Sequence, residues 1–341
     1  MPSKFVFFGG KGGVGKTTVS SAFGLKCADA GQRTLVVSTD PAHSTSDVFD
    51  QQFDDEPRAV EGYENLFAME LDPEEEVARH MQEIKRRMGE QVSPAIVSEL
   101  DRQIELAHQT PGAYEAALFD RFIQVMREAR PPEPRDERAA DAASRESDEF
   151  DRVVFDTSPT GGTLRLLSLP EFLDDWIERL IQKRTKSIDL FEKAAIGEKA
   201  ARRKMESDPI ISHLQQRKEK FEFAGTTLRE NADFYLVLNP DELSIRETDR
   251  AVASLREFGL EVDGLVLNRV TPAPDDDEQG RGARYLRDRV ETERERIAAI
   301  EDSFDVPLAG TIETRVEEVK GDLLADVAAE LDIDVAAEAA A

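Results

Sequence analysis

The stretch Phe5-Val6-Phe7-Phe8-Gly9-Gly10-Lys11-Gly12-Gly13-Val14-Gly15-Lys16-Thr17-Thr18 decides how the chain folds. Four residues rich in β-formers run into a glycine-rich turn, and a helical pattern follows from about Thr18 to Ala30. Gly10, Gly15, Lys16 and Thr17 fit the phosphate-binding pattern G-x-x-x-x-G-K-[ST], in the strand–loop–helix setting that the pattern requires. Glycine has no Cβ, so the backbone N–H groups between Gly10 and Thr18 can turn inward around phosphate oxygens. The following helix presents its unpaired N–H groups and the positive end of its dipole to the same anion. Lys16 is placed to neutralise β/γ-phosphate charge, and the Thr17 hydroxyl to ligate Mg²⁺. Lys11 narrows the pattern to K-G-G-x-G-K-T and lies across the turn from Lys16, so one chain does not readily aim both lysines at one phosphate.

Composition sets the class. At 341 residues the chain can bury a large core, as one α/β domain or one domain with an insertion. Its 44 basic residues face 71 acidic ones, a net −27, which disfavours nucleic acid as a partner. Only 13 of the basic residues are lysine against 31 arginine, and an acidic, lysine-poor surface suits a salt-rich, halophilic cytoplasm. No apolar run approaches the ~20 residues of a membrane span, and the N-terminus has no signal-peptide core, so a soluble cytoplasmic protein is expected. The single cysteine, Cys27, excludes an internal disulfide and reads as a small buried side chain of the first helix.

Strands and helices then alternate. Strand patterns are expected at Thr34–Thr39, Leu66–Leu71, Phe150–Phe155, Phe234–Leu238, Gly264–Leu267 and Leu308–Ile312. Helices are expected at Ser44–Phe49, Ile245–Phe258, Arg284–Asp302 and Val319–Leu331. Longer helical blocks cover 74–130 and 170–230, with apolar stripes such as Met81, Ile84, Met88, Val92 and Leu173, Trp176, Ile177, Leu180, Ile181. Residues 131–149 form a charged, alanine-rich surface insert. The expectation is a single α/β domain spanning 1–341, a doubly wound, mostly parallel sheet of the P-loop NTPase kind, with an inserted helical subdomain built from 74–130 and 170–230. Two carboxylates follow strands at the edge where ligands of such sheets collect. Asp40 is the candidate to orient or deprotonate the attacking water, and Asp156 the second acidic group, holding Mg²⁺ directly or through water. The Pro/Gly-rich sequel to Asp156 is a candidate switch.

Taken together, the 10–18 loop, Asp40-Pro-Ala-His-Ser44, Asp156-Thr-Ser-Pro-Thr-Gly161 with Thr163-Leu-Arg-Leu-Leu167, and Pro240–Ser244 with Glu247-Thr248 resemble one family from about Phe5 to Gly321. It is the family of the arsenite-pump-driving ATPase (ArsA) and the ATPase that targets tail-anchored membrane proteins. The resemblance implies ATP and Mg²⁺ as cofactors and a homodimer bridged by nucleotide, with Lys11 reaching the facing subunit's nucleotide. It also implies Asp40 as the group polarising water, Asp156 in the second switch, and Asn268 as the residue recognising adenine. The loop Thr314–Gly321, with Arg315 and Val316, would cover the adenine face, and the helical blocks would hold a client.

Three departures qualify the resemblance. Gly162 stands where the family's second switch carries histidine. No cysteine pair follows Asn268, and the four histidines offer no close pair to hold zinc in its place. One cysteine also cannot build a three-thiol arsenite site. The expected function is therefore ATP hydrolysis by a homodimer that captures and targets tail-anchored proteins, its partners a hydrophobic membrane-protein segment or a membrane receptor or pump. The alternatives are an ATPase driving arsenite efflux, a MinD/ParA-like positioning ATPase and a non-enzymatic nucleotide sensor. The acidic, alanine-rich stretch from Asp322 to Ala341 speaks against the lipid-binding terminal helix of the positioning ATPases.

Overall fold

Every residue from Phe5 to Phe8 is buried, which places this strand inside a sheet covered on both faces. The computed structural model describes residues 3–39, 44–72, 79, 113–129, 149–157, 178–179, 181–183 and 209–335. Its elements are β1 (Phe5–Gly10), α1 (Lys16–Asp29), β2 (Thr34–Ser38), α2 (Ser44–Phe49), β3 (Arg58–Ala59), β4 (Leu66–Glu70), α3 (Ala113–Glu128) and β5 (Arg152–Asp156). They continue with α4 (Pro209–Glu230), β6 (Ala232–Leu238), α5 (Glu242–Glu257), β7 (Gly264–Val270), α6 (Arg281–Ser303), β8 (Leu308–Glu313) and α7 (Asp322–Ala329). One eight-stranded sheet runs in the order β3-β4-β2-β5-β1-β6-β7-β8. All its pairings are parallel except β3 with β4.

Alternation along each strand sorts the core into two layers. Phe5 and Phe7 join Leu35, Val37, Val153 and Phe155 on the face packed by Phe122 of α3, Phe221 of α4, Leu255 of α5 and Ile300 of α6. Val6 and Phe8 join Val36, Ala68 and Val154 on the opposite face, under Val19 and Phe23 of α1, Val48 of α2 and Leu324 of α7. In-register neighbours put aromatic rings side by side. Phe7 stacks on Phe155 at 4.6 Å and on Phe234 at 5.1 Å. Each such pair is worth about 0.5–1.5 kcal/mol beyond its buried area. The sheet is thus doubly wound, as expected.

The expected strands are all present. The two-residue β3 was not foreseen, because Arg58-Ala59 carries no alternating pattern. Helix α5 begins at Glu242, earlier than its apolar pattern suggests, because the Asp241 side chain caps it by accepting from the Ser244 N–H at 2.9 Å. Helix α7 begins at Asp322, leaving Val319 and Lys320 in a loop. Of the helical blocks, α3 and α4 are described. The stripe residues Met81, Ile84, Met88 and Val92, the residues Leu173, Trp176, Ile177 and Leu180, and all of the 131–149 insert but its last residue, Glu149, lie outside the described residues, while Ile181 packs against the α3–α6 layer.

Cys27 is fully buried in the α1 layer, and burial pushes its thiol up to about 12, against the opposing pull of Arg152 and Lys26. At pH 8 only about one such thiol in ten thousand is ionised. Native protein mixed with a thiol-reactive disulfide reagent at pH 8 should show essentially no absorbance change over an hour. One equivalent should react once guanidinium unfolds the chain, and rapid reaction of the native chain would contradict this burial.

Candidate functional site

Gly10 closes β1 at φ +141, and a Cβ there would run into the Val237 carbonyl of the neighbouring strand. Only glycine fits where the chain leaves the sheet. The loop then reaches Gly15, which has φ +91 and precedes the first turn of α1, so the helix N-terminus opens onto the loop. A Cβ on Gly15 would collide with the Asn268 amide nitrogen. That nitrogen donates to the Val14 carbonyl at 2.6 Å. The Asn268 oxygen in turn accepts from the Arg269 N–H at 2.9 Å. Arg269 has left-handed backbone (φ +58) at a register shift late in β7, and this irregularity turns its N–H back onto the Asn268 side chain. Asn268 therefore ties β7 to the glycine loop, a connection that its place at a strand end did not reveal.

Lys16 and Thr17 occupy the first turn of α1 and are both buried. Lys16 Nζ donates to the Lys11 carbonyl at 3.2 Å, folding the loop over its own lysine. Thr17 Oγ1 donates to Asp156 Oδ2 at 2.6 Å, and Ser38 Oγ donates to the same oxygen at 3.2 Å. Asp156, 1% exposed, is the last residue of β5, and Thr39 donates to its main-chain carbonyl. The hydroxyl of Thr17 and the carboxylate of Asp156 are hard oxygen donors side by side at the phosphate end of the cleft. They suit Mg²⁺, which takes one or two protein oxygens and completes its shell with phosphate and water.

The cleft itself, about 650 Å³, runs from Gly13, Gly15, Lys16, Thr17 and Thr18 past Asn268 to Thr314, Arg315 and Lys320. Arg315 pairs with Glu330 at 2.7 Å, and the adjacent Val316 is fully exposed. The structure thus brings the 10–18 loop, Asn268, Arg315 and Asp156 into one region. Gly12 and Gly13 are exposed on the loop, with Lys11 beside them, while Val14 is buried under it. Asp40 and the segment after Thr157, including Gly162, lie outside the described residues. Ser44, Asp47 and Val48 of α2 form a further wall that the sequence reading missed. Ser38 was missed as well, although its position two residues beyond Val36 in an alternating strand puts it on the same face.

A family model described as anion-transporting ATPase (ArsA ATPase) matches residues 3–332. Similar curated proteins include a putative arsenical pump-driving ATPase 2 from Aquifex aeolicus, 32% identical over 298 residues that cover 87% of this chain and 88% of that protein. An ATPase ASNA1 homolog 1 from Paramecium tetraurelia is 32% identical over 279 residues, 80% of this chain and 76% of its own. An ATPase GET3 from Chaetomium globosum is 30% identical over 330 residues, 93% of this chain and 86% of its own.

The two carboxylate and hydroxyl oxygens make a specific demand on metal. Asp156→Asn should lower Mg²⁺-dependent ATP turnover by about a hundredfold or more, while metal-free binding of a fluorescent ATP analogue stays within a few fold of wild type. Unchanged turnover would remove Asp156 from the metal site.

Proposed function

The chain belongs to the ArsA-type anion-transporting ATPase family, and on that premise we propose that it is a homodimeric, Mg²⁺-dependent ATPase that captures and targets tail-anchored membrane proteins. In this reading the backbone N–H groups of Gly10–Thr18 and the Lys16 ammonium hold the triphosphate. Asn268, Arg315 and Val316 border the adenine. Thr17 and Asp156 hold Mg²⁺, which when bound offsets charge on the β- and γ-phosphates. Asp40 orients the attacking water, and Lys11 of each chain reaches the nucleotide held by the other. Phosphoryl transfer needs little covalent chemistry from a protein, so positioning and fixed charge carry most of the rate. The observation that carries the reading is the contact of the buried Asp156 with Thr17, which lines a cleft that continues to the 314–320 loop.

Targeting of a tail-anchored segment rests on the family resemblance, which covers proteins named ASNA1 and GET3. It also rests on the apolar stripes in blocks 74–130 and 170–230, since a client helix presents about 20 apolar residues that a carrier must cover. Among the described residues no helix is long and apolar enough to cross a membrane. An arsenite-activated pump partner is the weaker reading. The chain has one cysteine, it is buried, and a soft metalloid needs several thiolates.

Light scattering after gel filtration should give a mass of one chain without nucleotide and of two with ATP and Mg²⁺. Lys11→Ala should keep ATP binding yet lose most turnover. A synthetic tail-anchored segment should stay in solution only with the nucleotide-bound dimer. A chain that remains single under saturating ATP·Mg²⁺ and hydrolyses none of it would overturn the proposal, and stimulation of turnover by arsenite would favour the pump reading.

A further inference from the structure

Parallel register lines up one transverse row across four strands at the C-terminal edge of the sheet. Phe8 pairs with Asp156, Asp156 with Ser38, and Ser38 with Glu70. In-register partners in a sheet share a face, and Phe8 faces α1 and α2, so the other three face them too. Asp156 and Ser38 lie behind the phosphate end of the cleft, joined to it through Thr17. Glu70, at the end of β4 and 5% exposed, has no part in the nucleotide site described above. Its carboxylate grips one residue of α2 with both oxygens. Oε1 accepts from the Ser46 N–H at 2.8 Å, and Oε2 accepts from the Ser46 hydroxyl at 2.9 Å. The Ser46 hydroxyl accepts in turn from the Phe53 N–H at 3.3 Å, which ties the chain beyond α2 to the same point.

Helix α2 has six residues, too few to hold itself together or in place by its own hydrogen bonds. Its position is set by what grips it. Val48 packs on the α1 layer, and Glu70 holds its first turn through charge-assisted bonds at the end where a carboxylate also complements the helix dipole. The same short helix carries Ser44, Asp47 and Val48, which wall the cleft. It follows directly on the segment that contains Asp40 in the sequence.

We propose that Glu70 is a positioning residue for ATP hydrolysis: it fixes α2 against the phosphate end of the cleft through Ser46 and never touches the nucleotide. The inference rests on the hydrolysis of ATP in this cleft and concerns the catalytic step more than the binding of substrate. Displacing a wall of the site by a fraction of an ångström to an ångström costs turnover while the glycine loop still holds the triphosphate.

The test uses the full chain and three variants, Glu70→Gln, Ser46→Ala and the double variant. Each is assayed for ATP turnover, KM, affinity for a fluorescent ATP analogue, and Tm. Glu70→Gln should lower kcat by about tenfold to a hundredfold, with KM and analogue affinity within about threefold of wild type. Ser46→Ala, which keeps its main-chain N–H, should lower kcat by less. The double variant should be no worse than Glu70→Gln alone, because both changes break one linkage. A soluble Glu70→Gln chain with wild-type kcat and lowered Tm would mark Glu70 as merely structural and overturn the inference. Multiplying kcat losses in the double variant would overturn it as well. Should Glu70→Gln fail to fold, Ser46→Ala decides alone: its kcat must fall at unchanged KM. A wild-type chain inert toward ATP·Mg²⁺ would sink the functional reading itself, whereas an active wild type with an unimpaired Ser46→Ala sinks only this inference.

Discussion

The glycine loop is held open by contacts from strands distant in sequence, and the site depends on that. A loop whose N–H groups must face an anion cannot satisfy them internally, so its shape has to come from its carbonyls and from close backbone approach. Here the Val14 carbonyl is taken by Asn268 of β7, the Lys11 carbonyl by Lys16, and Gly10 lies directly against the Val237 carbonyl of β6. Substrate geometry is therefore a product of the central sheet, and the rigid, doubly covered strands β1, β6 and β7 are its foundation.

Much of this could be read in advance. Phe5–Phe8, Thr34–Ser38, Leu66–Glu70 and Arg152–Asp156 announce themselves as strands because parallel strands buried on both faces are nearly continuous in apolar residues. Gly10, Gly15, Lys16 and Thr17 have fixed spacing along the chain, so the motif and its chemistry are local. What escaped reading depends on register. That Asn268 reaches the Val14 carbonyl from 254 positions away is set by strand order, which no local pattern encodes, whereas Thr17 and Asp156, 139 positions apart, were both expected at one Mg²⁺. Arg58-Ala59 escaped for the opposite reason, since a two-residue edge strand carries too little pattern to detect.

The polar face of the sheet's edge has an internal logic. Within each of β2, β4 and β5 the apolar alternation continues up to the final residue and there gives way to a polar one: Val36 to Ser38, Ala68 to Glu70, Val154 to Asp156. Buried polar groups are costly unless bonded, and each of these has its partners. The α1-side core therefore ends in a hydrogen-bonded rim, where apolar packing passes into chemistry within a single pair of residues. This is the structural form of the rule that ligands of open α/β sheets gather at the strands' carboxyl ends.

The margins of the sheet are blunted on both sides. At one margin β3 is only two exposed residues long. At the other, Leu331 bridges to Gly310 and the Asp332 N–H donates to the Ala309 carbonyl, so the chain past α7 folds over part of β8. A strand from another molecule finds little backbone to zip onto at either rim, which guards the molecule against edge-to-edge fibre growth. The proposed homodimer is thereby left to loops and helical surfaces, where a lodged ligand has more say than it would over continuous main-chain pairing.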